Sequence, residues 1–549
     1  MKYLPIGIQN FKNIVSEDFV YVDKTKQIYE LIKMPRSLYF LSRPRRFGKS
    51  LLVSTFRSIF LGEKEVFKGL YLYEKTDWNW KSAPILQFNF AAYGKVLGEQ
   101  LENALNRSIK ELALQYKVKT DGENVQNQFK SLVQNIYEKE GEVVILVDEY
   151  DKPIIDFLDD FPKADTNRAI LKSFFSPLKE LESKGCIRFL FITGISKFSK
   201  VSIFSDLNNL NDLSLSSKAT DLLGITQEEL EHYFADYIQA IAEKRKESVE
   251  SLLKSLKKWY NGYSWDREMQ HLVYNPFSIL KFFFEGSFSN YWFATGTPTF
   301  LVNSIRQQQI DVKSIESKEV IDAFFDKFNL KSLDIFSLLF QTGYLTIKSV
   351  KLRRESYRYV LGYPNQEVKE AFIYNLIEAF SYKVPSTVGQ VVLKIEDSLH
   401  DNDLPVFIEQ LKILFADISY HLQPKKAASD NASLEQRQFD MWEGYFHSII
   451  YLIISFLNIH IECEVSRHKG RLDAMVNTEH YLYLMEFKLD ASADIALEQI
   501  KEKEYAQAYL NTNKKIILLG VAFDKVSRNV KTWKSEELQD TSVDKASSP

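Results

Sequence analysis

Two cysteines in 549 residues, Cys186 and Cys463, supply neither a disulfide framework nor a cysteine-ligated zinc site. They lie far apart, each inside an apolar strand-like run, so both are expected as buried reduced thiols in a reducing compartment. Charge of one sign is also lacking. Lys plus Arg number 70 against 73 Asp plus Glu, for a net charge of −3. That balance excludes a uniformly basic nucleic-acid coat and confines any nucleic-acid contact to local patches. Long hydrophobic runs are absent too: the longest, around "SIIYLIISFL" (Ser448 to Leu457), is too short to span a bilayer. The start, "MKYLPIGIQNF", has no apolar signal core, so the expected location is cytoplasmic, with no membrane partner. No internal repeat is evident.

Core-forming residues are plentiful. Hydrophobic residues make up 45% of the chain and aromatics 14%, with 40 Phe and 29 Tyr, enough for several dense cores. A chain this long is expected to fold as about three or four domains.

The first third alternates strand-like and helix-like segments, the order of an α/β domain. "SLYFLSR" (Ser37 to Arg43), "APILQFNFA", "EVVILVDEY" and "CIRFLFITG" are near-continuous apolar strands, as in a parallel sheet covered on both faces. "SLLVSTFRSIF", after Lys49, carries helical spacing. From Gly224 the pattern turns mostly helical, through "WYNGYSW", "YNPFSILKFFF" and "YWFATGTPTFL". "GYLTIKSVKLRRESYRYVLGYPN" then reads as a hairpin around a basic turn, followed by the helix "QEVKEAFIYNLIEAF", a winged-helix-like order. After the polar stretch Gln423 to Gln438 come an apolar helix (Trp442 to Leu457), three strands, a charged helix (Asp494 to Leu510) and the strand "KKIILLGVAF". The end, "SEELQDTSVDKASSP", reads as a disordered tail.

"SRPRRFGKSL" (Ser42 to Leu51) ends as a phosphate-binding loop does and begins differently. Such a loop reads G-x-x-x-x-G-K-[ST], joining a strand to a helix whose N-terminus faces the phosphates. Gly48, Lys49 and Ser50 supply the second glycine, the cation for the terminal phosphates and the hydroxyl for magnesium. Arg43 holds the first glycine's place, and a non-glycine residue forced into a left-handed conformation there costs about 1–2 kcal/mol. The turn must therefore be shaped differently or be strained. A basic surface loop ahead of a helix would share the Gly-Lys-Ser triplet.

"VVILVDEYD" adds a strand that delivers Asp148 and Glu149 at its carboxyl end, where ligands collect in open parallel sheets. Asp148 suits the magnesium shell, and Glu149 suits the base that orients an attacking water. The next strand ends in Thr193 and Ser196, placed either to sense a terminal phosphate or as ordinary strand-end hydroxyls. With "YVDKT" (Tyr21 to Thr25), "TGISKFSKVSIFSDLNNL" and "WYNGYSW", these motifs resemble a bacterial AAA-ATPase-like family whose members commonly carry a C-terminal nuclease-like domain. The resemblance carries over Lys49, Ser50, Asp148 and Glu149 residue by residue; the expected ATP site comprises Arg46, Phe47, Gly48, Lys49, Ser50, Leu51, Asp148 and Thr193, with Mg²⁺ on Ser50 and Asp148. The resemblance also implies that an arginine-rich loop is the family's usual form. Arg45, Arg46 and Asn209 match family motifs without an assigned role. Arg43, Arg45 and Arg46 can add charge at the loop mouth, toward nucleotide, nucleic acid or a neighbouring subunit.

Near the C-terminus, "GRLDAMVNTEHYLYLMEFKLD" holds Asp473, Glu486 and Lys488. Period two puts Glu486 and Lys488 on one face of a strand, and a hairpin can bring Asp473 beside them. Two carboxylates can hold Mg²⁺ or Mn²⁺ while the lysine positions or deprotonates water and stabilises charge at a scissile phosphate. Solvated strand faces carry the same residue types, so the order of surrounding elements has to distinguish them. That order, helix, three strands, helix, strand, resembles the PD-(D/E)XK nuclease superfamily. The resemblance adds Glu443 on the preceding helix, and Gln499 and Tyr505 as in the RecB-like branch; Leu472 stands where the superfamily's name has proline. His447 and His468 read as structural or surface histidines. Lys351, Arg353 and Arg354 either grip a phosphate backbone or form a solvated turn.

The reading is an α/β chain with a P-loop NTPase parallel sheet, a helical, winged-helix-like middle and a restriction-endonuclease-like core. Its expected segments are a P-loop domain 1–215, a helical lid 216–330, a winged-helix-like connector 331–422, a linker 423–438, a nuclease-like domain 439–535 and a tail 536–549. Nucleic acid, DNA ahead of RNA, is the expected partner, with a homo-oligomer in view. The competing reading is a nucleotide-dependent switch or binding protein whose nuclease-like domain does not cut.

Overall fold

The computed structural model describes residues 1–538 apart from 198–202, 205–206, 270, 294–298, 309, 311, 327–333, 355, 382–384, 417–445, 447, 458–459, 468–469 and 511. The chain forms two compact units, Met1–Leu301 with Ser317–Val368, and Val302–Glu316 with Lys369–Pro549.

The first unit is built on five strands: β1 (Ser37–Ser42), β2 (Ile85–Asn89), β3 (Val143–Asp148), β4 (Ile187–Gly194) and β5 (Asn211–Asp212). They pair in the order β2-β3-β4-β1-β5, all parallel. Alternation explains why the apolar runs are continuous. Val143, Ile145 and Val147 of β3 enter one core with the helices Glu99–Tyr116, Val125–Glu140 and Phe161–Phe175. Val144 and Leu146 enter the other, with the helix Lys49–Phe60. With period two, a strand sandwiched between helical layers has no face left for polar residues. Phe56 of the helix after the loop lies 5.0 Å from Phe189 and 4.9 Å from Phe191, ring to ring, which clamps that helix onto β4. Truncating such a residue to alanine typically costs about 3–5 kcal/mol.

Register sets the ends of three strands side by side, with Ser42 opposite Gly194 and Val147 opposite Ile192. The carboxyl ends of β1, β3 and β4 thereby share one edge. Further helices of the unit include Gln227–Tyr233, Val249–Tyr260, Pro276–Glu285 and Ile335–Thr342. A reciprocal cap of Thr226 and Glu229 starts the first of these. A small antiparallel sheet, ordered β6-β8-β7, combines β6 (Glu319–Ile321), β7 (Thr346–Arg353) and β8 (Ser356–Gly362).

The second unit holds β9 (His460–Arg467), β10 (Gly470–Asn477), β11 (Tyr481–Leu489), β12 (Lys515–Asp524) and β13 (Asn529–Leu538), ordered β13-β12-β11-β10-β9. Only β11 and β12 pair in parallel, and a parallel pair needs a crossover. The helix Ala493–Glu502 supplies it, burying Ala496, Leu497 and Ile500. β13 corrects the tail: residues 536–538, expected disordered, continue an edge strand. Residues 539–549 and the linker 423–438 lie outside the described residues. Cys186 is a free, buried thiol; the Cys463 side chain lies outside the described residues. No helix among the described residues is long and apolar enough to cross a membrane.

Candidate functional site

The loop after β1 takes its shape without a first glycine. Its left-handed residues are Arg46 (φ 66°) and Gly48 (φ 89°), and Arg43 is not among the residues of positive φ. The difference from the expected turn is thus one of shape, and the strain expected at Arg43 is not there. Arg43 is also not at the loop mouth. It is 1% exposed, and its Nη1 donates to the carbonyls of Ser42 (2.9 Å) and Ser214 (2.8 Å) and its Nη2 to that of Ala219 (3.0 Å). The guanidinium stacks 4.5 Å from the Trp265 ring, and burial pushes its pKa down to about 9, so it stays charged at neutral pH.

The aromatic motif "WYNGYSW" meets the loop here. Phe47, 1% exposed, sits edge-on to Tyr263 at 4.8 Å and Trp265 at 4.9 Å. Trp292 donates its indole N–H to the Arg45 carbonyl at 3.0 Å. Pro44 presses on Gly343, where a Cβ would come within 2.6 Å of the proline ring. Residues 43 to 47 are therefore held from outside the sheet, by residues of the helical segment.

Lys49, 6% exposed, donates from Nζ to the carbonyls of Arg43 (3.0 Å) and Pro44 (2.8 Å). Burial pulls its pKa down, opposed by Asp148, Glu149 and Asp151. Asp148, at the end of β3, is 3% exposed, and its Oδ1 is buried without a hydrogen-bond partner. An orphaned carboxylate oxygen beside a buried ammonium fits a hard cation bound with a phosphate. Glu149 follows in a left-handed conformation (φ 51°), and burial pushes its carboxyl up, with Asp148 and Asp151 adding and Lys49 opposing. Ser50 is half-buried in the first helical turn, and Leu51 follows it.

Asp151 went unassigned in the sequence, although "DEYD" displays it. Its buried carboxylate accepts from the backbone N–H groups of Ile195 (3.0 Å) and Ser196 (2.6 Å) and from the Ser196 hydroxyl (2.7 Å), tying the ends of β3 and β4 together. Gly194 makes room: a Cβ would come within 2.5 Å of Asp151 Oδ1. The Thr193 hydroxyl donates to the Leu41 carbonyl at 2.8 Å, a lock between β4 and β1. Asn209 is exposed in the turn before β5. In "YVDKT", Lys24 pairs with Glu229 at 2.7 Å and donates to the Asp221 carbonyl at 2.7 Å. An apolar cavity of about 670 Å³, counted to its open mouth, adjoins the loop and is lined by Val20, Val22, Gly48, Leu51, Leu223 and Ile225 among others.

The second unit gathers Asp473, Glu486, Lys488, Gln499 and Tyr505. Glu486, 1% exposed on β11, accepts at Oε1 from Lys488 Nζ (3.0 Å) and from the Gln499 amide. Its Oε2 is buried without a partner. Burial pushes the carboxyl up to about 7, with Asp473 adding and Lys488 opposing. Asp473 Oδ2 accepts from the Phe487 N–H at 2.8 Å, which joins β10 to β11. The Tyr505 hydroxyl, raised by burial and by Glu486, shares a hydrogen bond with Gln499. Two acidic groups with an orphaned oxygen suit Mg²⁺ or Mn²⁺. Among the described residues, no group of three or more His, Cys, Asp or Glu could hold a metal ion. Glu443, His447 and His468 lie outside the described residues. Lys351, Arg353 and Arg354 are exposed at the β7–β8 turn.

The fold and these clusters define a P-loop type α/β unit and a nuclease-like mixed-sheet unit in one chain. Residues 5–204 match the family described as "Predicted AAA-ATPase", and residues 441–533 match the PD-(D/E)XK nuclease superfamily. A protein of Azotobacter chroococcum mcd 1, "Uncharacterized protein in vnfD 5'region", is 36% identical over 545 residues, covering 98% of this chain and 99% of its own. The chain belongs to the family of predicted AAA-ATPases that carry a C-terminal domain of the PD-(D/E)XK nuclease superfamily.

Proposed function

We propose that the chain is a cytoplasmic ATP hydrolase joined to a metal-dependent nuclease that cuts nucleic acid, DNA ahead of RNA, under nucleotide control, and that it assembles as a homo-oligomer. The observation that carries the ATPase half is the meeting of buried Lys49, orphaned Asp148 and Glu149 at one edge of a parallel sheet. Lys49 exchanges its loop carbonyls for the terminal phosphates, and the apolar cavity takes the base. Glu149 orients a water whose oxygen bonds to the terminal phosphorus as the bond to the β-phosphate oxygen breaks. Its raised pKa suits it to receive the water's proton. Arg46, Phe47 and Leu51 frame the loop, and Thr193 aligns β4 with it.

A divalent cation, when bound, supplies Lewis-acid charge at the phosphates; Ser50 and Asp148 would hold it in the first unit, and Asp473 and Glu486 in the second. There Gln499 and Tyr505 orient Glu486, Lys488 holds or moves a water proton, and Glu443 is assigned an accessory role. A second reading, a nucleotide-dependent switch whose nuclease-like domain binds without cutting, is favoured by one observation. Glu486 is pushed toward its neutral form and already tied by Lys488 and Gln499.

Lys49→Ala should abolish ATP binding, and Glu149→Gln should retain binding and lose hydrolysis; normal turnover in either sinks the ATPase assignment. Incubating the full chain with Mg²⁺ or Mn²⁺ and mixed DNA and RNA separates the two readings. Cleavage lost in Glu486→Ala supports the nuclease, and retention of uncut nucleic acid supports the switch.

A further inference from the structure

The three arginines of the loop have separable surroundings. Arg43 is buried, and its guanidinium is committed to three carbonyls and to Trp265. Arg46 lays its guanidinium 4.9 Å from the centre of the Phe277 ring. Arg45 differs from both. Its main chain is pinned, since the Arg45 carbonyl accepts from Trp292 Nε1 at 3.0 Å and the preceding Pro44 lies against Gly343. Its side chain is exposed, with no hydrogen bond or ion pair of the guanidinium among the described residues.

Position and charge agree on where this guanidinium belongs. Lys49 reaches the carbonyls of Arg43 and Pro44, so its ammonium lies against the peptides that lead into Arg45. Asp148, Glu149 and Asp151 close the same edge of the sheet. Arg45 is near enough for its charge to act, as the weakest of several influences, on both Lys49 and Glu149. Its charge is felt as well by Tyr344, next to the glycine that seats Pro44. A rigid backbone carrying one unengaged, permanently charged fork beside a phosphate lysine is suited to gripping phosphate oxygens in pairs.

We propose that Arg45 is a phosphate-binding residue of its own chain's nucleotide site, reaching the terminal phosphate of the triphosphate and neutralising the charge that builds there during transfer. The inference rests on the ATPase reading above. It divides the labour of the loop: Arg43 anchors it to the fold, Arg46 latches it to Phe277, and Arg45 meets the ligand. It also separates ATP from ADP, because only the triphosphate offers the group that Arg45 would hold.

The test uses the full chain, with ATP and ADP affinities measured by competition against a fluorescent nucleotide and with steady-state hydrolysis. Arg45→Ala should leave ADP affinity within about twofold while ATP affinity or kcat falls about tenfold or more, and Arg45→Lys should recover part of the loss. The backbone bond to Trp292 survives both substitutions, so an unchanged melting temperature is expected. Mixing Arg45→Ala with Lys49→Ala should restore nothing, since both defects lie in one site. Equal losses for ATP and ADP, unchanged ATP turnover with weakened nucleic-acid binding, or activity restored on mixing would each overturn the proposal. A wild-type chain that neither binds nor hydrolyses ATP would bring down the ATPase reading and this inference with it, a result distinct from any behaviour of the variants.

Discussion

The indole N–H of Trp292 donates to the carbonyl of Arg45 at 3.0 Å, so a residue 247 positions downstream fixes the middle of the phosphate loop. Trp292→Phe keeps an aromatic ring near Tyr344, 5.2 Å away in the native protein, and removes the donor together with part of the buried indole. A net hydrogen bond of about 0.5–1.5 kcal/mol translates into an ATP affinity lower by about 2- to 10-fold. Competition binding checks the affinity and thermal denaturation checks the fold. Unchanged affinity would mean that the loop keeps its shape without this bond.

Arg43→Gly restores the usual first glycine of a phosphate loop, and by sequence logic it should improve the site. The structure predicts the opposite. Arg43 needs no left-handed backbone, and removing its side chain strips the donors from the carbonyls of Ser42, Ser214 and Ala219 and takes the cation off the Trp265 ring. Each buried acceptor left unsatisfied costs about 1–3 kcal/mol, so a loss of at least about 2 kcal/mol is expected. Denaturant unfolding measures it. A variant as stable as wild type, with tighter ATP binding, would show that the arginine is dispensable.

These two cases mark where the sequence stopped being legible. The parallel sheet could be read because burial on both faces forces continuous apolar runs such as Val143 to Val147, and the reactive groups because strand ends deliver them. What Arg43 does depends on Ser214, Ala219 and Trp265, which no local pattern connects to it. Asp151 was visible as a third acid after β3, but its partners Ile195 and Ser196 come from the next strand's end. The last residues of the edge strand β13 read as a tail because "KTWKSEEL" faces solvent along most of its length, and an edge strand needs no apolar alternation to pair.

Glu367 should make the first unit sensitive to pH. Its carboxyl, 0% exposed, accepts from the Ser278 hydroxyl and the backbone N–H of Trp292, both at 2.7 Å, and burial pushes its pKa from 4.5 up to about 8. The folded protein therefore holds this proton more tightly than the unfolded chain. The associated stability is complete below about pH 4.5 and drains away as pH rises through about 8, at up to about 1.4 kcal/mol per unit. Glu367→Gln keeps an acceptor for Trp292 and removes the titration. Melting temperatures followed from pH 5 to about pH 9 should fall more steeply for wild type than for the variant; parallel curves would place the charge elsewhere.

Asp473 allows chemistry and fold to be separated at the second site. Its Oδ2 accepts from the Phe487 N–H at 2.8 Å, so Asp473→Ala would remove a strand-to-strand bond together with a charge. The unpaired N–H would cost about 1–3 kcal/mol, and lost cleavage could then reflect a loosened sheet. Asp473→Asn keeps an acceptor oxygen of nearly the same shape and removes only the negative charge. If Asp473 and Glu486 together hold the cation, the Asn variant should melt within about a degree or two of wild type while its Mn²⁺ affinity falls by an order of magnitude or more, and cleavage with it. Calorimetric titration with Mn²⁺ reads the affinity without requiring a nucleic-acid substrate. Equal Mn²⁺ binding by wild type and the Asn variant would remove Asp473 from the ligand set.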